Sequence, residues 1–228
     1  MSTATPEPNK HLKAGEINFD LIPPDWALTP LQGKRAYVAG WTTQPYSIDE
    51  IKREFKQGKA TGVGLITGQW SNEGGLIWVD IDGTDSIKDL EELAGAPISA
   101  AFPPTLTISS GKKDRQRMLF SVPKEKLKLL PEKATIKIGI PAFEILFRNR
   151  QGAIMGSHPD TDGYFTTPHG GFEYAKNPPE MPEWLYEAIA KSYPLNKYKK
   201  PVRTGIVTQQ VNIDYEEGSE YQQEEYLN

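Results

Sequence analysis

The chain has 228 residues, 37% hydrophobic and 25% charged, with 26 Lys+Arg against 30 Asp+Glu and no cysteine. That length and composition give a folded soluble protein with one core or two small fused lobes, and the missing cysteine excludes a disulfide scaffold, Cys-ligated zinc, an iron–sulfur cluster and thiol catalysis. No segment approaches the roughly 20 apolar residues that span a bilayer, so a cytoplasmic location is expected, and a formal net charge of −4 at face value disfavours nucleic-acid binding.

In chain order, residues 1–18 read as a polar, disordered N-terminal tail. The sequence Ser47-Ile48-Asp49-Glu50 is a capping box, and Ile48, Ile51 and Phe55 follow at helical spacing, so a helix is expected over Ser47–Gln57. Gly62–Thr67 and Leu76–Ile81 are apolar and β-branched and read as buried strands. Asp85–Ala94 is a short helix with Ile87, Leu90 and Leu93 on one face. Strands are then expected at Thr105–Ser109, Arg117–Val122, Thr135–Ile138, Phe143–Phe147 and Ala153–Met155, before a closing helix over Pro182–Lys191. The fold class is α/β of the α+β kind, with mostly antiparallel pairing. The folded domain is expected over 19–193, and 194–228 reads as an acidic linker or tail.

The net charge hides an asymmetry. Residues 211–228 carry six acids and no Lys or Arg, while Ser109–Arg150 holds eleven basic residues against four acidic ones, a local +7. The plain explanation of such a band is a solvated strand–loop surface.

The sharpest local feature is Trp78-Val79-Asp80-Ile81-Asp82-Gly83-Thr84. Side chains alternate faces along a strand, so Asp80 and Asp82 point the same way. Two carboxylates ending an apolar strand repel each other, and a divalent cation such as Mg²⁺ or Mn²⁺ relieves that penalty. The bland alternative is a turn that Asp82 caps. An Asp-x-Asp-Gly-Thr run also looks like the haloacid-dehalogenase phosphatases, but no later acidic pair follows an apolar strand here. Two-metal nucleotidyl transfer needs a third carboxylate from another strand and cations for a triphosphate. Glu144, in Phe143-Glu144-Ile145-Leu146-Phe147-Arg148, meets the first need; otherwise it is an edge-strand acid paired with Arg148. Ser109–Phe120, with Lys112, Lys113, Arg115 and Arg117, meets the second as a strand, a basic Gly-containing loop and a strand.

The order of these motifs resembles the prim-pol branch of the archaeo-eukaryotic primase superfamily, the bifunctional DNA primase/polymerase domain, over about residues 20–186. The likeness runs from Trp26–Tyr37 and Gly40-Trp41 through Gly62–Gly68, the Asp80/Asp82 pair, Ser109–Phe120 and Glu144 to Gly156–Phe165. The resemblance implies a two-lobed primase-like catalytic core. It also implies a template-dependent nucleotidyltransferase that adds NTPs or dNTPs to a primer strand on single-stranded DNA. Asp80, Asp82 and Glu144 would hold two Mg²⁺ or Mn²⁺ ions and no zinc.

Arg117 stands where the family usually has histidine; it can bind phosphate but cannot shuttle a proton. Lys112, Lys113, Ser157 and His158 are the further nucleotide-binding candidates, His158 being preferred over His11 in the tail and His169 in a Gly-rich turn. Lys34, Arg115, Arg148 and Arg150 are the nucleic-acid-binding candidates. A C-terminal helicase-like region in a longer protein and no membrane partner are expected. The competing function is a catalytically weak primase-like binding module of a replication-initiator or CRISPR-linked protein.

Overall fold

The computed structural model describes residues 10–68, 73–168 and 170–194. His169 and, apart from its first residue, the expected tail over 194–228 lie outside them. Ten strands run in chain order: β1 (Leu28–Gln32), β2 (Arg35–Ala36), β3 (Gly62–Ile66), β4 (Gly74–Asp82), β5 (Thr107–Ser109), β6 (Arg115–Pro123), β7 (Thr135–Ile136), β8 (Phe143–Leu146), β9 (Gln151–His158) and β10 (Thr161–Thr166). Among the described residues four α-helices accompany them: α1 (Ile48–Lys56), α2 (Thr84–Ala94), α3 (Ile98–Ala101) and α4 (Glu183–Ser192). The strands form one curled sheet in the order β2-β1-β3-β9-β10-β5-β6-β4-β8-β7. Every neighbouring pair of these strands is antiparallel, as an α+β chain with short connections requires.

Two apolar clusters cover the sheet. One gathers Leu28, Leu31, Val63, Leu65, Ile154 and Met155. The other packs Ile77, Val79, Ile81, Phe120 and Ile145 against Leu90 of α2 and Leu185 and Ile189 of α4. Strand β4 takes part in both, because its side chains alternate: Trp78 joins the first cluster and Ile77, Val79 and Ile81 the second. Its neighbours divide the same way, Leu119 and Leu146 facing Trp78 while Phe120 and Ile145 face α2 and α4. Continuing the alternation past Trp78 puts Asp80 and Asp82 on the Trp78 face, beyond the end of the apolar packing.

The capping box of α1 is present in both directions. The Glu50 amide donates to Ser47 Oγ at 3.3 Å, and the Ser47 amide donates to Glu50 Oε2 at 2.8 Å. Strand β9 is longer than its apolar stretch, because Gly152 and Gly156 interrupt the pattern without interrupting the strand. At Gly156 the backbone has φ +104°, and a Cβ would lie 2.3 Å from the Thr61 carbonyl oxygen. Glycine is what lets β9 lie that close to the chain entering β3.

The expected tail boundary at residue 18 falls inside the packed body. Leu12 is buried in the first cluster, and Ile17 packs against it. The Leu12 amide donates to Thr166 Oγ1 at 2.9 Å, and the Phe172 amide donates to the Lys10 carbonyl at 2.8 Å. One leucine amid polar residues gives no periodicity to read, which is why residues 10–18 look like tail in the sequence. Leu12→Ala is therefore expected to lower the unfolding free energy by about 2–4 kcal/mol in urea denaturation; an unchanged midpoint would mean that this segment adds nothing to the core.

Candidate active site

Strand register builds the site. Asp80 of β4 lies directly opposite Arg117 of β6 on one side and Glu144 of β8 on the other. Asp82 lies opposite Arg115. Residues directly opposite in antiparallel strands share a face, so three carboxylates and two guanidiniums occupy one patch of sheet. Each acid has a cation. Arg117 Nη2 donates to Asp80 Oδ2 at 2.7 Å, Lys137 Nζ lies 2.8 Å from Glu144 Oε1, and Arg115 Nη1 lies 3.8 Å from Asp82 Oδ1. The central pair is the least exposed, with side-chain accessibilities of 23% for Arg117 and 14% for Asp80.

The electrostatics follow from this crowding. Partial burial and the neighbouring Asp80 carboxylate, with a smaller push from Glu144, hold the Asp82 carboxyl above its usual range against the pull of Arg115 and Arg117. Burial opposes the charge on Arg117, but Asp80 outweighs it, so the guanidinium stays protonated. Its Nε and the nearby indole Nε1 of Trp78 are buried without a protein hydrogen-bond partner. Gly152 backs both side chains: a Cβ there would lie 2.6 Å from Trp78 Nε1 and 2.8 Å from Arg117 Cδ.

Beside the acids lies a cavity of about 180 Å³. Its walls are Asp80 and Asp82, then Arg115, Gln116 and Arg117 of β6, Ser110 and Lys112 of the β5–β6 hairpin, Ile108, Lys34, His158 and Tyr164. The hairpin is tight, with Gly111 at φ +79° and Asp114 at φ +54°. It is pinned by Thr84 Oγ1 donating to Asp114 Oδ2 at 2.6 Å. Lys112 Nζ pairs with Asp160 Oδ2 at 2.7 Å. The Asp160 amide donates to His158 Nδ1 at 3.1 Å, so that nitrogen is an acceptor and Nε2 carries the proton of the neutral ring. The His158 ring stands edge-on to Tyr164, 5.4 Å between centroids. Burial raises the Tyr164 phenol, which remains a hydroxyl able to donate.

Of the residues singled out in the sequence, Asp80, Asp82, Arg117, Arg115, Lys112, Lys34 and His158 line this cavity, and Glu144 adjoins it through Asp80. Lys113 and Ser157 do not line it; the Ser157 amide instead donates to the Thr61 carbonyl. Arg148 and Arg150 sit at the other end of β8, where the Asn149 amide donates to the Thr67 carbonyl and Arg150 Nε to Thr135 Oγ1 at 3.1 Å. Glu144 pairs with Lys137 rather than Arg148, whose guanidinium lies over the Phe147 ring at 5.3 Å. Asp82 does not cap helix α2: the residue before the helix is Gly83, no side chain caps it, and the Asp82 carboxylate faces Arg115 instead. Sequence reasoning missed Tyr164 and Lys137 as site residues. The first is one aromatic in an ordinary alternating strand, and the second directly follows β7 in the expected strand Thr135–Ile138, but only the pairing of β7 with β8 brings it to Glu144.

The donor set is all oxygen, which suits Mg²⁺ or Mn²⁺, and Asp80 and Asp82 on one strand face can supply adjacent ligands. As the side chains stand they are turned toward cations of the protein. Among the described residues no three His, Asp or Glu side chains converge closely enough to hold an ion.

Two outcomes test this geometry. Burial, then the charge of Lys112, lowers the His158 pKa below its ordinary 6.5, so the folded state loses stability as pH falls through the unfolded-state value, where the unfolded chain takes up the proton first. An NMR titration is expected to place the His158 midpoint below 6.5, and Lys112→Ala to raise it; a midpoint at or above 6.5 would contradict the site's electrostatics. Gly152→Ala is expected to cost about 1–3 kcal/mol in denaturation experiments, from overpacking against Trp78 and Arg117.

A family model described as bifunctional DNA primase/polymerase, N-terminal, matches residues 20–184. No curated protein matches the chain. No helix among the described residues is long and apolar enough to cross a membrane. The matched span takes in all ten strands, α1, α2, α3 and the first two residues of α4, and includes Asp80, Asp82, Arg117, Glu144 and His158. The chain belongs to the Prim-Pol family, the N-terminal domain of bifunctional DNA primase/polymerases, and is a primase/polymerase-type nucleotidyltransferase domain.

Proposed function

We propose that this domain is a template-dependent DNA primase/polymerase that adds NTPs or dNTPs to a primer strand on single-stranded DNA. The observation that carries the reading is the row of Asp80 and Glu144 with Asp82 beside it, facing a cavity rimmed by Lys34, Lys112, Arg115 and Arg117. Acids that can hold divalent cations next to fixed cations for a polyphosphate are what nucleotidyl transfer requires. The two apolar clusters meeting at β4 support a two-lobed catalytic core with the site at their junction.

In the reaction, the primer 3′-oxygen forms a bond to the α-phosphorus, the bond from that phosphorus to the bridging oxygen breaks, and pyrophosphate leaves. The hydroxyl proton passes to solvent. Asp80, Asp82 and Glu144 would hold the two Mg²⁺ or Mn²⁺ ions, which would supply acidity at the 3′-hydroxyl and charge stabilisation at the α-phosphate. Arg117 and Lys112 bind phosphate oxygens, Arg117 through its fork of donors. His158, which lines the cavity and whose Nδ1 accepts from the Asp160 amide, is assigned to donate a hydrogen bond through Nε2–H rather than a charge. Tyr164, a buried phenol in the cavity wall close to Arg117, is assigned to offer a further hydrogen-bond donor. Lys34 and Arg115 at the rim attract the template–primer backbone.

A second reading, a catalytically weak nucleic-acid and nucleotide-binding module, is favoured by one contact: Arg117 occupies the Asp80 carboxylate. Primer extension and de novo priming on single-stranded DNA with Mg²⁺ or Mn²⁺ separate the two. The polymerase reading expects incorporation by the wild type and a loss of roughly 10²–10³ in Asp80→Ala and Asp82→Ala, as for removal of groups that stabilise transition-state charge. Wild type as inactive as both variants with either metal, together with steeply salt-dependent DNA binding, would leave the binding module.

A further inference from the structure

Counted by charge, the site is complete without any ion. Asp80, Asp82 and Glu144 carry three negative charges, and Arg117, Arg115 and Lys137 supply three positive ones at 2.7, 3.8 and 2.8 Å. A divalent cation entering alone would leave a positive excess in a partly buried patch, which is costly. An anion must arrive with it, or a cation of the protein must leave.

The three protein cations are not equal in this. Lys137 is 69% exposed and Arg115 46% exposed, so water and salt compete for both. Arg117 is mostly covered, makes the short contact, and is held on Asp80 by strand register on one side and by Gly152 on the other. It is the group a metal must displace. On Asp80 it leaves its own Nε unpartnered, a cost that a polyphosphate in the adjoining cavity, with several acceptor oxygens, can remove.

We propose that Arg117 is a molecular gate on the metal site: it occupies Asp80 in the free protein and transfers to the incoming triphosphate, so that nucleotide and divalent cation bind cooperatively and the cation alone binds poorly. The gate rests on the nucleotidyl-transfer reading for the identity of its anion, but the competition between Arg117 and the cation does not depend on turnover.

The test is a Mn²⁺ titration of the full chain without nucleotide, read from the free-ion EPR signal, on wild type, Arg117→Gln and Arg117→Lys. Arg117→Gln is expected to bind Mn²⁺ at least tenfold more tightly than wild type, with Arg117→Lys between them. Inorganic tripolyphosphate, titrated without metal, is expected to bind wild type at least tenfold more tightly than Arg117→Gln and to shift the Arg117 Nε resonance in NMR spectra of the wild type. Equal or weaker Mn²⁺ binding by a folded Arg117→Gln overturns the gate. So does a wild-type Arg117 resonance that saturating tripolyphosphate leaves unmoved, a measurement that requires no variant to fold. Tighter Mn²⁺ binding in Arg117→Gln with no incorporation by wild type would sink the polymerase reading and keep the competition; incorporation by wild type without the Mn²⁺ difference would do the reverse.

Discussion

The contact between Arg117 and Asp80 is the constraint around which the site is organised. A carboxylate 14% exposed at the end of a buried strand must be compensated, and strand β6 provides the compensation because antiparallel register sets residue 117 opposite residue 80. The same register carries Glu144 in on the other side. Three strands distant in sequence thereby become one charged row. Gly152 of β9 gives the Arg117 side chain the space it needs. Shifting any of these strands by one residue would turn its charged members into the apolar packing under α2 and α4.

The acidic net charge is a poor guide to this surface. Six acids lie within residues 211–228, outside the described body, and three more are consumed in the charged row. The cations of the Ser109–Arg150 band are not one continuous surface either. Lys112, Arg115 and Arg117 converge on the cavity, whereas Arg148 and Arg150 lie at the far end of β8. Charge counted along the chain therefore marks where cations are abundant, and the fold decides which of them meet.

What the sequence discloses is the part governed by local periodicity. The α1 capping box, the alternation of β4 and the inward Ile87 and Leu90 of α2 each follow from neighbours within a few residues, whereas Leu93, expected on the same face, is exposed because successive steps of three residues drift around the helix. Strand β1 is harder to read because Pro30 argues against a strand interior. Its place is possible because β2 pairs only with Leu31 and Gln32, leaving Pro30 no strand on that side. The buried N-terminal segment and the entry of Tyr164 into the cavity depend on contacts between residues far apart in the chain, whereas the Lys137–Glu144 pair depends on β7 folding back onto β8. The Asp80/Asp82 pair was legible as an acidic strand end; its engagement with arginines across β6 was not, since pairing of β4 with β6 is a property of the sheet order.

If Arg117 holds the acidic row closed as a cation site, the guanidinium must leave Asp80 when metal and nucleotide bind. The most direct measurement is a crystal structure of the protein with Mn²⁺ and a non-hydrolysable nucleoside triphosphate, using manganese anomalous scattering to locate the ions. Anomalous density is expected at Asp80 and Asp82, with the Arg117 guanidinium moved from Asp80 onto phosphate oxygens. Manganese bound away from these carboxylates, or bound to them with Arg117 still on Asp80, would contradict the gate.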